Sequence, residues 1–226
     1  MISKKALPAV VSLAVCAGQA DAAQVYFNDF EDEIGLGGVG EIVSVQGYEG
    51  VNGISGSFWF NDTKEPSPVG TQTTPSTLEL TDLGAHDILT LSFDIAFIDS
   101  WDGVIGRIFG DDYFNIVVDD ETLVQTTNFG GLADELSDGV YGFFGFTERY
   151  DDEAYRFSAI IPHIGSTASF LFFADGRKWQ AGADESWAID NLSISTGWAA
   201  VPLPAGLLLL ASGLGLLALR RRRQPA

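Results

Sequence analysis

The stretch ILTLSFDIAFI, residues 88–98, constrains the fold more than any other part of the chain. Large apolar side chains occupy every second position, at Leu89, Leu91, Phe93, Ile95 and Phe97, and the positions between them carry Thr90, Ser92, Asp94 and Ala96. This period of two residues belongs to a β-strand with one buried face, because the 3.6-residue period of a helix cannot produce it. The stretch therefore predicts a long, half-buried strand.

Nine other short runs have the same character and are separated by Gly, Asp, Asn and Pro turns: QVYFNDF, GEIVSVQGY, GSFWF, STLELTDL, DYFNIVVDD, TLVQTTNF, AYRFSAIIPHI, TASFLFFADG and SWAIDNLSIS. The chain contains 26 glycines, and residues 23–196 hold no convincing amphipathic helix, internal repeat or linker. About ten strands in one domain predict an all-β fold, an antiparallel β-sandwich of jelly-roll type.

The first 22 residues are typical of a secretory signal peptide. Lys4 and Lys5 precede an apolar run over residues 6–18, and small residues follow up to Ala22, where cleavage is expected. LAVC at residues 13–16 resembles a lipobox, which leaves lipidation of Cys16 as an alternative, although Val15 fits that pattern poorly. Cleavage after Ala22 leaves a chain without cysteine, which excludes disulfides and thiolate chemistry.

Residues 197–226 form a separate segment. Residues 206–219 are apolar throughout, but 14 residues at about 1.5 Å each reach only about 21 Å, short of a hydrocarbon core of about 30 Å, unless residues 198–201 extend the run. The cluster Arg220, Arg221, Arg222 and Arg223 follows and is expected to stay on the cytoplasmic side. The sequence predicts a C-terminal transmembrane helix, and a core helix of the domain is the alternative.

This segment resembles a known sorting signal. Val201, Pro202, Leu203, Pro204 and Ala205, an apolar helix and the arginine cluster occur in the order of the VPLPA variant of the PEP-CTERM signal of Gram-negative bacteria. The resemblance implies an exosortase-type transpeptidase as partner, a membrane-anchored intermediate, and release to the cell surface or extracellular matrix, often in organisms that secrete exopolysaccharide. Leu203 departs from the commonest form, which has glutamate at this position.

The charge of the mature domain restricts its partners. Without the two terminal signals the chain keeps 30 acidic and 6 basic residues, a net charge near −24. Such a surface repels nucleic acid and anionic lipid, because both carry dense negative charge. Divalent cations, a saline exterior or simple solubility fit it better.

The last predicted strand, ESWAIDNLSIS at residues 185–195, resembles the final strand of secreted bacterial jelly-roll modules, including carbohydrate-binding and lectin-like domains. Residues 85–103 and the run DYFNIVVDDETLVQTTNF resemble a bacterial surface domain without an assigned activity. In the sugar-binding modules the first and last strands are neighbours and often hold a structural calcium. The resemblance implies a fold of this kind and a possible sugar ligand.

Two acidic clusters are candidate metal sites. Calcium takes six to eight oxygen ligands, and the resemblance places Asp29 and Glu31 of the first strand near Asp190 of the last. The second cluster, Asp99, Asp102, Asp111 and Asp112, lies in a glycine-rich stretch without EF-hand spacing. Ca²⁺ is the cofactor predicted for these ligands. The alternative is a solvated acidic rim in which Asp190 caps a turn through the backbone.

Tryptophans are the other candidates, because sugars stack their apolar faces on aromatic rings. Trp101 and Trp179 lie in polar, glycine-rich surroundings and are predicted ligand-binding residues, whereas Trp59 and Trp187 lie within strand patterns and are expected in the core.

Enzyme signatures are missing from the sequence. There is no HExxH or GxSxG motif, His86 and His163 stand far apart in sequence, and no strand carries the paired carboxylates of lectin-like glycoside hydrolases. The prediction is a non-catalytic surface or matrix protein that binds exopolysaccharide or another glycan. Two alternatives stay open: a structural or adhesive matrix component, and a divergent hydrolase.

Overall fold

A computed structural model describes residues 22–44, 56–61, 74–99, 101, 112–127, 129–141, 151–176, 179 and 185–199. This part of the chain contains twelve strands in two antiparallel sheets. The seven-stranded sheet consists of β1 (Ala23–Asn28), β3 (Glu41–Ser44), β4 (Ser57–Asn61), β6 (Ile88–Asp99), β9 (Asp134–Tyr141), β10 (Asp151–Pro162) and β12 (Glu185–Gly197). The five-stranded sheet consists of β2 (Gly37–Gly38), β5 (Ser76–Leu80), β7 (Asp112–Val118), β8 (Glu121–Thr126) and β11 (Ala168–Gly176).

The predicted antiparallel β-sandwich is confirmed, and each of the ten predicted runs contains a strand. The sequence analysis missed β2, which is only two glycines long, and β9, whose sequence DELSDGVY has no apolar alternation. The described residues include no helix long and apolar enough to cross a membrane. The predicted signal peptide and transmembrane helix lie outside them.

The centre of the seven-stranded sheet is built by strands that are distant in sequence. The order is β3-β4-β12-β6-β10-β9, and β1 pairs with the second half of β12. The first and last strands of the sandwich are therefore neighbours, as the resemblance implied. β6 pairs along its whole length with β12 on one side and along most of it with β10 on the other, which makes these three strands the most firmly held part of the sheet.

The core lies between the sheets and is rich in aromatic rings. The alternation predicted for β6 is confirmed, since Leu89, Leu91, Phe93, Ile95 and Phe97 all face inward and are buried. Phe93 packs edge-on against Phe172 of the opposite sheet, with ring centroids 5.7 Å apart. Burying rings of this size removes the largest apolar areas in the chain from water, so these contacts dominate the stability of the sandwich.

The outer face of the seven-stranded sheet has two different halves. At one end of β6, Ala96 and Ile98 point away from the core but are still buried, in a small cluster with Phe58 and Ala188. Toward the other end of β6 the outward side chains become polar and reach solvent. Among the described residues of β6, this second half offers functional groups to a ligand.

Candidate functional site

The candidate site is the polar half of that outer face, here called the polar strip. It is formed by the outward side chains of the three central strands, which alternate with the core residues. Its members are Thr90, Ser92 and Asp94 of β6, Arg156 and Ser158 of β10, and Asn191, Ser193 and Ser195 of β12.

Three serines form a row across the strip. Ser92 pairs with Ser158 on one side and with Ser193 on the other, so hydroxyls follow one another at the strand spacing of about 4.8 Å. The row continues onto β1, where Phe27 pairs with Ser193 and is 51% exposed. A large exposed ring at the end of a hydroxyl row is an unusual combination, because Phe side chains are generally buried.

An ion pair lies beside this row. The carboxylate of Asp94, itself buried, accepts hydrogen bonds from Arg156 through Nε to Oδ1 at 2.8 Å and through Nη2 to Oδ2 at 3.0 Å. Asn191 donates a third bond from Nδ2 to Oδ2 at 3.0 Å. The hydrogen bond to Asp94, together with its negative charge, raises the pKa of Arg156 above its ordinary value. The guanidinium is thereby fixed in place while the Arg156 side chain stays 56% exposed.

A β-bulge in β12 brings Asn191 to this ion pair. The register with β6 shifts between Asp190 and Ser193, and Asn191 adopts a left-handed backbone conformation with φ of 52°. Asparagine tolerates that conformation better than most residues. The buried Asp190 accepts a hydrogen bond from the backbone N–H of Asn191 at 2.6 Å. Asp190 thus accepts from the backbone of the bulge, and Asn191 donates to the ion pair.

The polar strip can bind a hydroxyl-rich ligand. Serine and threonine hydroxyls both donate and accept, and a guanidinium has five N–H donors, of which Asp94 uses two. The groups stand on paired central strands, so little side-chain and backbone freedom remains to be lost when a ligand binds.

The predicted calcium ligands occupy different surroundings. Asp29 follows β1 and accepts the N–H of Glu31 at 3.3 Å, and the exposed Glu31 accepts the N–H of Ser57 at 2.8 Å through Oε1. Among the described residues, no three His, Cys, Asp or Glu side chains form a group that could hold a metal ion. Asp99 ends β6 opposite Glu185, and Asp102 and Asp111 lie outside the described residues. Calcium binding stays a prediction.

The predicted ligand-binding tryptophans pack against each other at one end of the sandwich. Their ring centroids are 5.0 Å apart, Trp179 is buried, and Trp101 is half-buried, with its Nε1 donating to the backbone oxygen of Ser186 at 2.6 Å. Trp101 also lies edge-on to Phe97, at 4.6 Å. Sugar stacking by this pair stays a prediction, and Trp101 offers the larger accessible surface.

The tryptophans expected in the core are buried. Trp59 donates from Nε1 to the hydroxyl of Ser76 at 2.8 Å, and Trp187 lies edge-on to Phe114 at 5.0 Å. Near the Trp101–Trp179 pair, Tyr155 donates its hydroxyl to Glu153 at 2.6 Å. Burial, followed by this hydrogen bond, raises the pKa of Tyr155 above its ordinary value of 10.0.

The two histidines are neighbours in space, although 77 residues separate them in sequence. Nε2 of His86 lies 2.7 Å from Nδ1 of His163, and the outer nitrogens contact the backbone oxygens of Gly84 and Thr167. Asp119 lies 3.2 Å from Nε2 of His163. The pair joins two loops at one end of the sandwich.

Sequence reasoning missed Asp94 and Arg156 as partners. A signal was present, since each is a single charge within an otherwise apolar strand pattern, ILTLSFDIAFI and AYRFSAIIPHI. The proposed sorting residues, Val201 to Ala205 and Arg220 to Arg223, lie outside the described residues.

No known protein family matches the sequence, and no curated protein matches it. Among solved structures, the chain is similar to the CBM22-1 xylan-binding domain of Xyn10C from Paenibacillus barcinonensis, with 14% identity, a TM-score of 0.38, and coverage of 81% of this chain and 100% of that one. It is also similar to the C-terminal domain of EclA, a sugar-binding protein, with 14% identity, a TM-score of 0.34, and coverage of 60% and 74%.

A third similarity is to the catalytic domain of Agl-KA, with 12% identity, a TM-score of 0.34, and coverage of 84% of this chain and 31% of that one. At these identities and TM-scores, none of the three similarities carries a statement about what this chain binds or catalyses.

Proposed function

We propose that this chain is an exported, non-catalytic β-sandwich protein that binds a glycan on the polar strip. The observation that carries the proposal is the row Ser158, Ser92 and Ser193, with Phe27 at one end and the Asp94–Arg156 ion pair beside it. Glycans present many hydroxyls on a partly apolar ring, and this row offers hydroxyl partners next to an exposed aromatic ring.

Arg156 adds a preference among glycans. Its charge is held at the surface by Asp94, and its unused N–H donors are available for a carboxylate or hydroxyl of the ligand. The domain has a net charge near −24, and the charge of Arg156 is balanced by Asp94, so an acidic polysaccharide would be repelled. A neutral glycan is therefore the expected ligand, ahead of an acidic one.

The sorting of the protein is part of the proposal. Pro202, Leu203 and Pro204 are proposed as the recognition site of an exosortase-type transpeptidase, and Arg220 to Arg223 as the cytoplasmic stop of a transient membrane anchor. Replacing Pro202 and Pro204 by alanine is expected to leave the protein in the membrane fraction. Release of this double variant at the wild-type level would contradict the sorting role.

Glycan binding is tested by titrating the full chain with alginate, an acidic polysaccharide, and with xylan, a neutral one. Phe27→Ala and Arg156→Ala are each expected to weaken binding about ten-fold, equivalent to about 1.4 kcal/mol. Ile34→Ala is the matched control, because Ile34 is exposed but lies outside the strip. Unchanged affinity in both strip variants would refute the site, and loss of binding in Trp101→Ala alone would move it to the tryptophan pair.

Calcium is proposed as a structural cofactor with Asp29, Glu31 and Asp190 as candidate ligands, although these carboxylates do not form one group in the structure. The test is the melting temperature of the full chain with calcium and with chelator, in the wild type and in Asp190→Ala. A calcium-dependent rise that disappears in the variant supports the site. An equal melting temperature in both conditions means that these carboxylates only face solvent or cap backbone groups.

A further inference from the structure

The end of the seven-stranded sheet that leads into residues 200–226 carries exposed apolar side chains. Ile164 is 85% exposed, Ile160 67% and Trp198 51%. These three residues are here called the apolar end. Side chains of this size are costly to leave in water, and several at one end of a domain suggest a contact surface.

The register places the three residues at the same end of the sheet. Pro162 of β10 and Gly197 of β12 both pair with Ile88, the first residue of β6. Ile164 and Trp198 lie just beyond that row, and Ile160 lies one outward position before it.

Asp87 ties the two exposed segments together. Its backbone oxygen accepts the N–H of His163 at 3.1 Å, and its own N–H donates to the oxygen of Gly197 at 3.1 Å. Its carboxylate accepts the N–H of Ala199 at 2.5 Å. Because one residue holds both segments, Ile164 and Trp198 are presented in a fixed arrangement.

The sequence that follows Trp198 indicates which surface the apolar end contacts. Gly206, the start of the apolar run, is eight residues after Trp198, and eight extended residues reach at most about 29 Å. If residues 206–219 lie in a bilayer, the apolar end therefore lies within about 29 Å of that segment. Tryptophan favours the headgroup region of a membrane, and isoleucine favours the acyl boundary beneath it.

We propose that the apolar end docks on the surface of the membrane that holds the C-terminal segment. The proposal rests on the membrane anchor included in the proposed function and is independent of glycan binding. Asp82, Asp87 and Asp119 lie at the same end, so the contact is with zwitterionic headgroups and not with anionic lipid. Docking in this way points the long axes of β6, β10 and β12 away from the membrane.

The test uses the full chain with Cys16→Ser, reconstituted into vesicles of phosphatidylcholine. An environment-sensitive fluorophore is attached at Ile164→Cys, or at Ile34→Cys as the control. Ile34 is a matched position, because it is also an isoleucine, is 66% exposed, and lies in the loop after β1, away from the apolar end. Both changes are at exposed side chains, so neither removes core packing.

The expected result is that the fluorophore at residue 164 shifts to the blue on reconstitution and is quenched by aqueous iodide several-fold less than the one at residue 34. Equal quenching at the two positions, in protein that floats with the vesicles, would overturn the docking and leave the anchor intact. Protein that does not float would overturn the anchor and the docking together. Because Ile160 pairs with Thr90 of the polar strip, polysaccharide binding is measured separately, on the same protein without vesicles.

Discussion

The two faces of the seven-stranded sheet differ although the same strands build them. Phe93 and Asp94 are adjacent in sequence, yet Phe93 packs among rings of the core and Asp94 forms the ion pair of the polar strip. The inner face is held by many interchangeable apolar contacts, and the outer face by a few directional hydrogen bonds. Substitutions one residue apart should therefore affect different properties, namely stability on the inner face and recognition on the outer face.

The largest contrast is expected between two phenylalanines. Phe93→Ala leaves a cavity among the rings of Phe129, Phe157 and Phe172 and should lower the free energy of unfolding by about 3–5 kcal/mol. Phe27→Ala, at an exposed position, should lower it by less than about 0.5 kcal/mol. Urea unfolding measures both. If both variants lost a similar free energy of unfolding, the inner face would not serve mainly stability and the outer face mainly recognition.

The ion pair is expected to have an intermediate effect. Arg156→Ala leaves the buried Asp94 with only Asn191 as a hydrogen-bond donor among the bonds described, and should lower the free energy of unfolding by about 1–3 kcal/mol. Exposure of Arg156 to solvent keeps the effect below that of a fully buried pair. The double variant with Asp94→Ala is the control, since it removes both charges. The double variant should have a higher free energy of unfolding than Arg156→Ala. A lower value would contradict the explanation that a buried carboxylate without its cation causes the loss.

Two substitutions of Asn191 separate the energetic cost of the left-handed backbone in the bulge from the loss of the hydrogen bond to Asp94. Both Asn191→Gly and Asn191→Ala lose the bond to Asp94, but glycine adopts the left-handed conformation freely, whereas alanine keeps a Cβ there at a cost of about 1 kcal/mol relative to glycine. Thermal unfolding of the two variants should therefore rank glycine above alanine. The reverse order would mean that the backbone of β12 leaves the left-handed conformation without cost.

The smallest change in the free energy of unfolding is expected for Tyr155, on the inner face of the sheet, at alkaline pH. Because the pKa of Tyr155 is raised in the folded state, that state holds the phenolic proton more tightly than the unfolded chain. This contribution is complete below the ordinary pKa of 10.0 and falls as the pH rises above it. The difference in unfolding free energy between wild type and Tyr155→Phe should thus shrink from about pH 10 upward. A constant difference would exclude the linkage.

The sequence predicted where most strands lie but not which strands pair with one another. Alternation in residues 88–98 identified β6 and its buried face, because burial on one side imposes a period of two on any such strand. β9 escaped detection because its polar residues and glycine lack that period. A strand without that period leaves little trace in the sequence.

The site depended on register, which the sequence did not reveal. Asp94 and Arg156 are 62 residues apart and meet only because β10 pairs with β6 in one particular alignment. A shift by one residue would turn Arg156 into the core. Asp190 and Asn191 were recognised as notable, but their use in a bulge follows from the backbone, and the sequence suggested metal binding equally well.

The position of β12 sets the order in which the molecule can form. Synthesis proceeds from the N-terminus, and β12 is the last strand of the described chain, yet it lies between β6 and both β1 and β4. Among the described strands, β12 is the one that joins β1 and β4 to β6, and it is complete only when residues 185–197 emerge. A nascent chain of this protein therefore lacks a central strand of the seven-stranded sheet for most of its synthesis. A product that terminates before residue 185 also lacks this strand, and it is in that state that chaperones and proteases encounter it.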